Sequence, residues 1–249
     1  MKNYSPAKDI LKNRVILVTG AGSGIGKAAA LKFAEYGATV VLLDKAEAKI
    51  ESVYDQIESS GQARPALFPM DLATATPDAY TGLAAALSQE FGKLDGLLNN
   101  AGILGSITPL NLYDDQLWDK VMNVNLHAPY RLTRACLGLM AQSPDASIVF
   151  TTADVARHGR AYWGAYAVAA AGVEAMTQVW AEELDGDNRV RVNAINPGAV
   201  YTDMRAKAYP GENPKTLVKP ADIMPAYLYL MSADSRAVSG RVINAQDDF

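Results

Sequence analysis

The chain predicts an α/β fold organised on a doubly wound, parallel sheet of about seven strands in a single domain. Three observations point to it. A short apolar run, Val15-Ile16-Leu17-Val18, breaks after Thr19 into Gly20, Gly22, Gly24 and Gly26 and passes straight into a helical pattern. From there to the C-terminus, strand-length runs rich in β-branched residues and leucine alternate with helix-length stretches. The length, 249 residues, suits one sheet domain, and no internal repeat or linker divides it.

Composition narrows the function classes. A formal net charge of −4 and the absence of a long basic run argue against an electrostatic nucleic-acid binder and favour small-molecule chemistry. The single cysteine, Cys136, cannot form an internal disulfide, and Leu132, Leu139 and Met140 at helical spacings assign it to a buried face. His127 and His158 stand apart from any spaced Cys, His or Glu set, so no metal site is expected. Residues 1–14 alternate polar and charged types without an apolar centre. Neither a signal peptide nor a membrane span is expected there, and the expected compartment is cytoplasmic. Residues 1–13 are read as an N-terminal arm on the domain surface.

The glycine stretch is the first element with chemistry. The apolar run suits a strand buried on both faces, and the glycines permit a tight turn that lets a phosphate approach the backbone. The following helix points unpaired N–H groups at that spot, for which a pyrophosphate is the best-suited guest; a glycine-rich turn without a ligand is the alternative. This helix is expected over 27–36, stopping at Gly37. A second strand, 39–43, leads into Asp44, near the interval at which a dinucleotide fold sets an acid to accept hydrogen bonds from the adenosine ribose. Asp44 repels a 2′-phosphate and so favours NAD(H), while neighbouring Lys45 leaves NADP(H) open. A helix over 46–60 and a third strand over 66–70 lead to Asp71-Leu72, where the local reading is a cap or turn aspartate.

A helix over Pro77–Phe91 precedes a fourth strand that begins near Asp95 and ends in Asn99-Asn100-Ala101-Gly102. Two asparagines ending a buried strand are costly unless hydrogen-bonded, so a definite partner is expected. A long helical stretch over 114–140 contains Asn123-Val124-Asn125-Leu126, and asparagine inside a helix can disturb the backbone ladder. A fifth strand over 146–152, a helix over 162–184 and a sixth strand over 189–196 follow. The sixth ends in Asn196-Pro197-Gly198-Ala199-Val200-Tyr201-Thr202, a proline-glycine turn. Residues 201–219 carry Pro210, Gly211 and Pro214, too broken for one regular element, and suit a substrate lid. A helix over 220–231 and a strand over 241–245 close the sheet.

Together these segments resemble the classical short-chain dehydrogenase/reductase family, whose cofactor loop has the T-G-x-x-x-G-x-G spacing of Thr19 to Gly26. Five segments match in register over essentially the whole chain: Thr19 to Gly26, Asp71-Leu72, Asn99 to Gly102, the helix around Tyr166, and Asn196 to Thr202. The resemblance implies a Rossmann-type fold and hydride transfer between a nicotinamide and a small carbonyl or alcohol substrate. It assigns cofactor contacts to Gly20, Ser23, Gly24, Ile25 and Gly26 in the loop, to Asp44 at the ribose, and to Asp71 and Leu72 at the adenine. Asn99, Ala101 and Gly102 come beside the second ribose, and Pro197, Gly198, Val200 and Thr202 at the carboxamide. Tyr166 is the implied proton donor or acceptor, and Asn125 the mark of a helix distortion that holds a water in a proton relay. A homodimer or homotetramer is also implied, through a four-helix contact of the 114–140 and Tyr166 helices, the latter with an apolar stripe of Ala169, Val173, Met176 and Trp180. Packing of both helices on the sheet alone is the alternative.

Two positions depart from the family pattern. Its Tyr-x-x-x-Lys spacing sets an ammonium one helical turn from the phenol; here the segment is Tyr166-Ala167-Val168-Ala169-Ala170, with alanine for lysine. Where the family has a serine, thirteen residues before the tyrosine, stands Ala153. Thr152 substitutes only if the strand end shifts, because neighbouring strand residues face opposite ways. Arg157, His158 and a residue from 201–219 are the other candidate replacements. A tyrosine of pKa about 10 is phenolate in only about one molecule in a thousand near neutral pH, so the loss of the ammonium matters. Two functions therefore stay open: an oxidoreductase of weakened turnover, and a catalytically inactive dinucleotide-binding relative acting as a redox sensor or non-catalytic subunit. Tyr162, Trp163, Tyr201 and Tyr209 are candidates for an apolar pocket wall.

Overall fold

Seven strands form one all-parallel sheet in the order β3-β2-β1-β4-β5-β6-β7: β1 Val15–Thr19, β2 Thr39–Asp44, β3 Ala66–Pro69, β4 Gly96–Asn99, β5 Ala146–Thr151, β6 Val190–Asn196 and β7 Val242–Asn244. The structure is a computed structural model that describes residues 3–187 and 189–247; Met1 and Lys2 of the expected arm lie outside the described residues. The helices are α1 Gly24–Glu35, α2 Glu47–Ser59, α3 Pro77–Phe91, α4 Asp115–Met122, α5 Ala128–Met140, α6 Gly164–Glu183, α7 Asp203–Ala208 and α8 Met224–Met231. The predicted doubly wound, Rossmann-type fold is what the chain adopts.

The central strands read as unbroken apolar runs because both of their faces are covered. Ile16 and Val18 join Val40 and Leu42 in a core that includes Phe33 of α1, Ile50 of α2 and Tyr227 of α8. Leu17 joins Val41, Leu43 and Leu97 in a second core on the opposite face, with Leu83 of α3, Leu132 and Cys136 of α5, and Val173 of α6. Burial pushes the Cys136 thiol up to about 12, as befits a packing residue. Among the described residues no helix is long and apolar enough to cross a membrane.

The amino edge of the sheet is tied by ions. Asp145, ahead of β5, accepts from Arg14 at 3.0 Å and from Arg191 of β6 at 3.3 Å, and all three are largely withdrawn from solvent. Arg191 also donates to the Ser235 hydroxyl and to the Ser232 and Leu230 carbonyls. Asp95, ahead of β4, accepts from the Val15 amide, the Ser143 hydroxyl and Lys93. The N-terminal arm is packed rather than loose: Leu11 is fully buried, and Tyr4 meets the Tyr229 ring edge-on at 5.4 Å and donates to Asp234 at 2.6 Å.

Five expectations change. Helix α1 begins at Gly24 rather than at 27, so its first turn lies inside the glycine stretch. The 114–140 stretch is two α-helices joined by a π turn at Asn123–His127, in which the Ala128 amide bonds to the Asn123 carbonyl five residues back. Pro129 supplies a cause, since it has no N–H to offer the carbonyl of Asn125 four residues earlier. The lid stretch holds the short helix α7, and the last helix is preceded by a 3₁₀ turn at Pro220–Ile223. On the expected α6 stripe, Ala169 and Val173 are buried and Met176 and Trp180 half-buried, whereas Val168, Ala171, Ala175 and Val179 face outward.

Candidate functional site

In the order β3-β2-β1-β4 the winding reverses between β1 and β4, and a crevice opens at the carboxyl ends of the strands there. The cleft at this edge measures about 650 Å³, within the range of small-molecule sites. Gly20, Ser23, Gly24 and Ile25 line its inner wall. Gly20 and Gly24 have φ of 67° and 52°, conformations that disfavour a side chain. Gly26 does not line the cleft; a Cβ on it would collide with the Gly20 carbonyl, so it lets α1 press against the turn. Ser23 makes no capping bond through its side chain, and the first-turn amides of α1 have no intrahelical acceptor.

Asp44 ends β2 with both carboxylate oxygens fixed, one on the Gly22 amide at 3.1 Å and the other on the Ala46 amide at 3.0 Å. Lys45 and Lys49 line the same end of the cleft. Asp71 is exposed and accepts from the Ala73 amide in a turn, while Leu72 beside it is buried; both border the cleft.

The two asparagines ending β4 part company. Asn99 is buried with its amide on Thr133 and does not line the cleft. Asn100, which the sequence reading did not single out as a contact, does; its amide group donates to the Thr19 carbonyl. The signal was available, since adjacent strand residues face opposite sides. Thr19 locks the two turns together, its hydroxyl accepting from the Asn100 and Ala101 amides at 2.9 and 3.0 Å. Ala101 and Gly102 follow along the cleft.

Asn125, in the π turn, holds the backbone after that turn at both ends: its carbonyl oxygen accepts from Ile103 N–H and its amide donates to Ile103 C=O, each at 2.9 Å. Across the cleft, Pro197, Gly198, Val200 and Thr202 follow β6. Gly198 has φ of 70°, and its amide is taken by the Asn196 side chain. Thr202 caps α7 through the Arg205 amide, and an isolated bridge pairs Val200 with Val218, so the two ends of the lid are fastened together.

Tyr166, the third residue of α6, lines the cleft one helical turn before Ala170, and burial of its ring pushes the phenol above the usual tyrosine range. Ala153 and Ala170 both border the cleft. Thr152 also borders the cleft, but its hydroxyl is committed, donating to the buried Glu174 carboxylate at 3.0 Å. Arg157 is equally committed, with its guanidinium 3.1 Å from the same buried carboxylate. Neither Arg157 nor His158 lines the cleft. Of the aromatic candidates Trp163, Tyr201 and Tyr209 do, and Tyr162 does not.

The short chain dehydrogenase family profile matches residues 14–213. The oxidoreductase YciK of Escherichia coli K12 is 46% identical over 244 residues, 98% of this chain and 96% of YciK. The structure of a short chain dehydrogenase from Pseudomonas syringae superposes with a TM-score of 0.96 at 52% identity, covering 98% of this chain and 99% of that one. A short chain dehydrogenase from Shigella flexneri, complexed with NADP, superposes with a TM-score of 0.93 at 46% identity over 97% of this chain and 100% of its own.

Proposed function

The chain belongs to the short-chain dehydrogenase/reductase family, and from that premise we propose that it binds an adenine dinucleotide along the cleft and acts as a nicotinamide-dependent oxidoreductase of weakened turnover. The observation that carries this reading is the cradle at Gly20, Gly24 and Gly26, where a Cβ is crowded at Gly20 and Gly26 and the positive φ of Gly20 and Gly24 disfavours one, and the α1 amides are left for an anion. The pyrophosphate lies there, with Ser23 and Ile25 beside it. Asp44 takes the adenosine ribose, Asp71 and Leu72 flank the adenine, and Ala101 and Gly102 let the second ribose lie against backbone. Pro197, Gly198, Val200 and Thr202 hold the carboxamide. Asn99 supports this wall from behind, through Thr133, and Gly26 supports the loop by close packing.

When bound, the nicotinamide supplies or accepts the hydride. Tyr166 gives a proton to the carbonyl oxygen of the substrate on reduction and takes it from the alcohol on oxidation. Asn125 is a positioning residue, because its amide is committed to Ile103; the water-holding role falls to the π-turn backbone, whose Asn125 carbonyl has no N–H from Pro129. Residues 201–219 close over the substrate as a lid.

Asp44 supports NAD(H) as the cofactor, although the Shigella flexneri relative is complexed with NADP. Fluorescence titration is expected to give NADH an affinity at least about tenfold above that of NADPH, from charge repulsion at the 2′-phosphate, and Asp44→Ser is expected to erase the difference. Equal affinities in the unaltered protein overturn the preference; no binding of either overturns the whole assignment.

A second reading, a non-catalytic dinucleotide binder serving as a redox sensor or partner subunit, is favoured by the commitment of Thr152 and Arg157 to Glu174, which leaves neither of these two free to replace the missing groups. Binding of NADH with no turnover across a panel of carbonyl substrates selects it.

For assembly, the outward face of α6 supports a homodimer or homotetramer: Val168 and Val179 are 46% and 55% exposed, and Tyr130 of α5 lies nearby, stacked on Trp180. Light scattering after size exclusion is expected to give an oligomer, and Val179→Glu is expected to shift it toward monomer. A monomeric parent protein disposes of this assembly.

A further inference from the structure

We propose that the outer half of the cleft is built for a ligand with an apolar, ring-sized body ending in a carboxylate, and that Arg160 receives that carboxylate. The inference deepens the oxidoreductase reading and rests on it for the position of the reacting carbonyl.

From Tyr166 the cleft wall continues as a run of rings. Trp163 meets Tyr166 edge-on with centroids 5.6 Å apart, and Tyr209 of the lid segment lies 5.7 Å beyond Trp163. Such a wall favours an apolar body, because its faces exclude water and offer no hydrogen bond. Tyr209 is braced: the Arg205 guanidinium lies 3.7 Å from its ring centroid, and Arg205, which also borders the cleft, grips Glu212 with two bonds of 2.7 Å. Arg205 is therefore neutralised and occupied as a support.

Arg160 stands at the end of this wall and is not neutralised. It lines the cleft, its guanidinium lies 3.4 Å from the Tyr209 hydroxyl, and among the described residues it has no carboxylate partner. The acids that also border the cleft are engaged or set elsewhere. Asp44 accepts from the Gly22 and Ala46 amides, Asp71 from the Ala73 amide and Asp154 from the Asn196 amide, and Asp203 forms no ion pair with Arg160 among the described residues. A guanidinium over an apolar wall matches a carboxylate, to which it presents a planar fork of donors.

The backbone that sets Arg160 beside Trp163 is strained. The Trp163 amide bonds to the Arg160 carbonyl, closing a four-residue turn whose third residue, Tyr162, has φ of 76°. A bulky residue rarely adopts that conformation, and strain of this kind gathers at ligand sites. Tyr162 is held there by its own carbonyl, which accepts from the Thr108 amide. The turn fixes the spacing between the cation and the first ring of the wall.

The test compares 4′-acetylbiphenyl-4-carboxylate with its methyl ester by calorimetry on the NADH-loaded protein. The acid is expected to bind about tenfold more tightly than the ester, and Arg160→Ala is expected to bring the two within about twofold while NADH affinity stays the same. Arg160→Lys, which keeps the charge and loses the fork, is expected to fall between. Equal binding of acid and ester, survival of the gap in Arg160→Ala, or no binding of either probe overturns the proposal. If NADH itself fails to bind, the oxidoreductase reading falls on its own, and the acid and ester compared on the free protein still decide the role of Arg160.

Discussion

Ala170→Lys combined with Ala153→Ser is expected to raise turnover of a reducible carbonyl by about 100- to 10,000-fold, the usual contribution of a positioned acid or base. Both alanines border the cleft, and Ala170 lies one helical turn from Tyr166, so the new groups enter the space that the reaction uses. In the unaltered protein, burial raises the phenol above its usual range, and Arg157 of the β5 loop is paired with Glu174. An ammonium at position 170 favours the phenolate and lowers the pKa. The pH profile carries the same sign: alcohol oxidation by the parent climbs with pH and has no plateau below the ordinary tyrosine pKa of about 10, whereas the double variant levels off at lower pH. Glu174 lies four residues beyond position 170 but is already paired with Arg157, so it competes weakly for the ammonium. Steady-state kinetics with NADH checks the gain, and no increase from the pair removes the interpretation of an eroded site.

Asp145→Ala is expected to cost about 3–5 kcal/mol of stability, the range for breaking a buried ion pair from one side. The cost arises because Arg191, only 2% exposed, keeps its charge in the interior with one fewer counterion, while Arg14 loses its carboxylate as well. For a chain of this size about 1 kcal/mol moves the midpoint by roughly 2–4 °C, so thermal melting should fall by on the order of 10 °C. NADH affinity measured well below that midpoint should be unchanged, because the network sits on the edge of the sheet away from the cleft. A melting point within about a degree of the parent would falsify the view that these strands are clamped at their amino ends.

The sheet was legible because its strands are the most regular signal in the chain: apolar runs such as Val15–Thr19 and Thr39–Asp44 are buried on both faces, and glycines or prolines punctuate them. Glycines 20, 24 and 26 announced the turn, since their roles are steric and local. What escaped depends on neighbours distant in sequence or on the exact phase of a helix. Asn99 and Asn100 exchange places because the strand alternation decides which of them meets the cleft. On α6 the apolar stripe divides, with Ala169 and Val173 in the core and Met176 and Trp180 half-exposed. The π turn had a visible cause in Pro129, but its effect on Asn125 needed the chain traced through Ile103. Arg160 gave no sequence signal at all, because an arginine is ordinary on a surface and only the rings of Trp163 and Tyr209 make it part of a wall.

The ionic clamp and the glycine cradle occupy opposite rims of one rigid slab, and that separation bears on how this lineage can change. Ala153 and Ala170 take no part through their side chains in either the clamp or the cradle, so a change at these positions leaves both rims in place. Substitution at the cleft can therefore alter what that rim does while the glycine cradle keeps its shape.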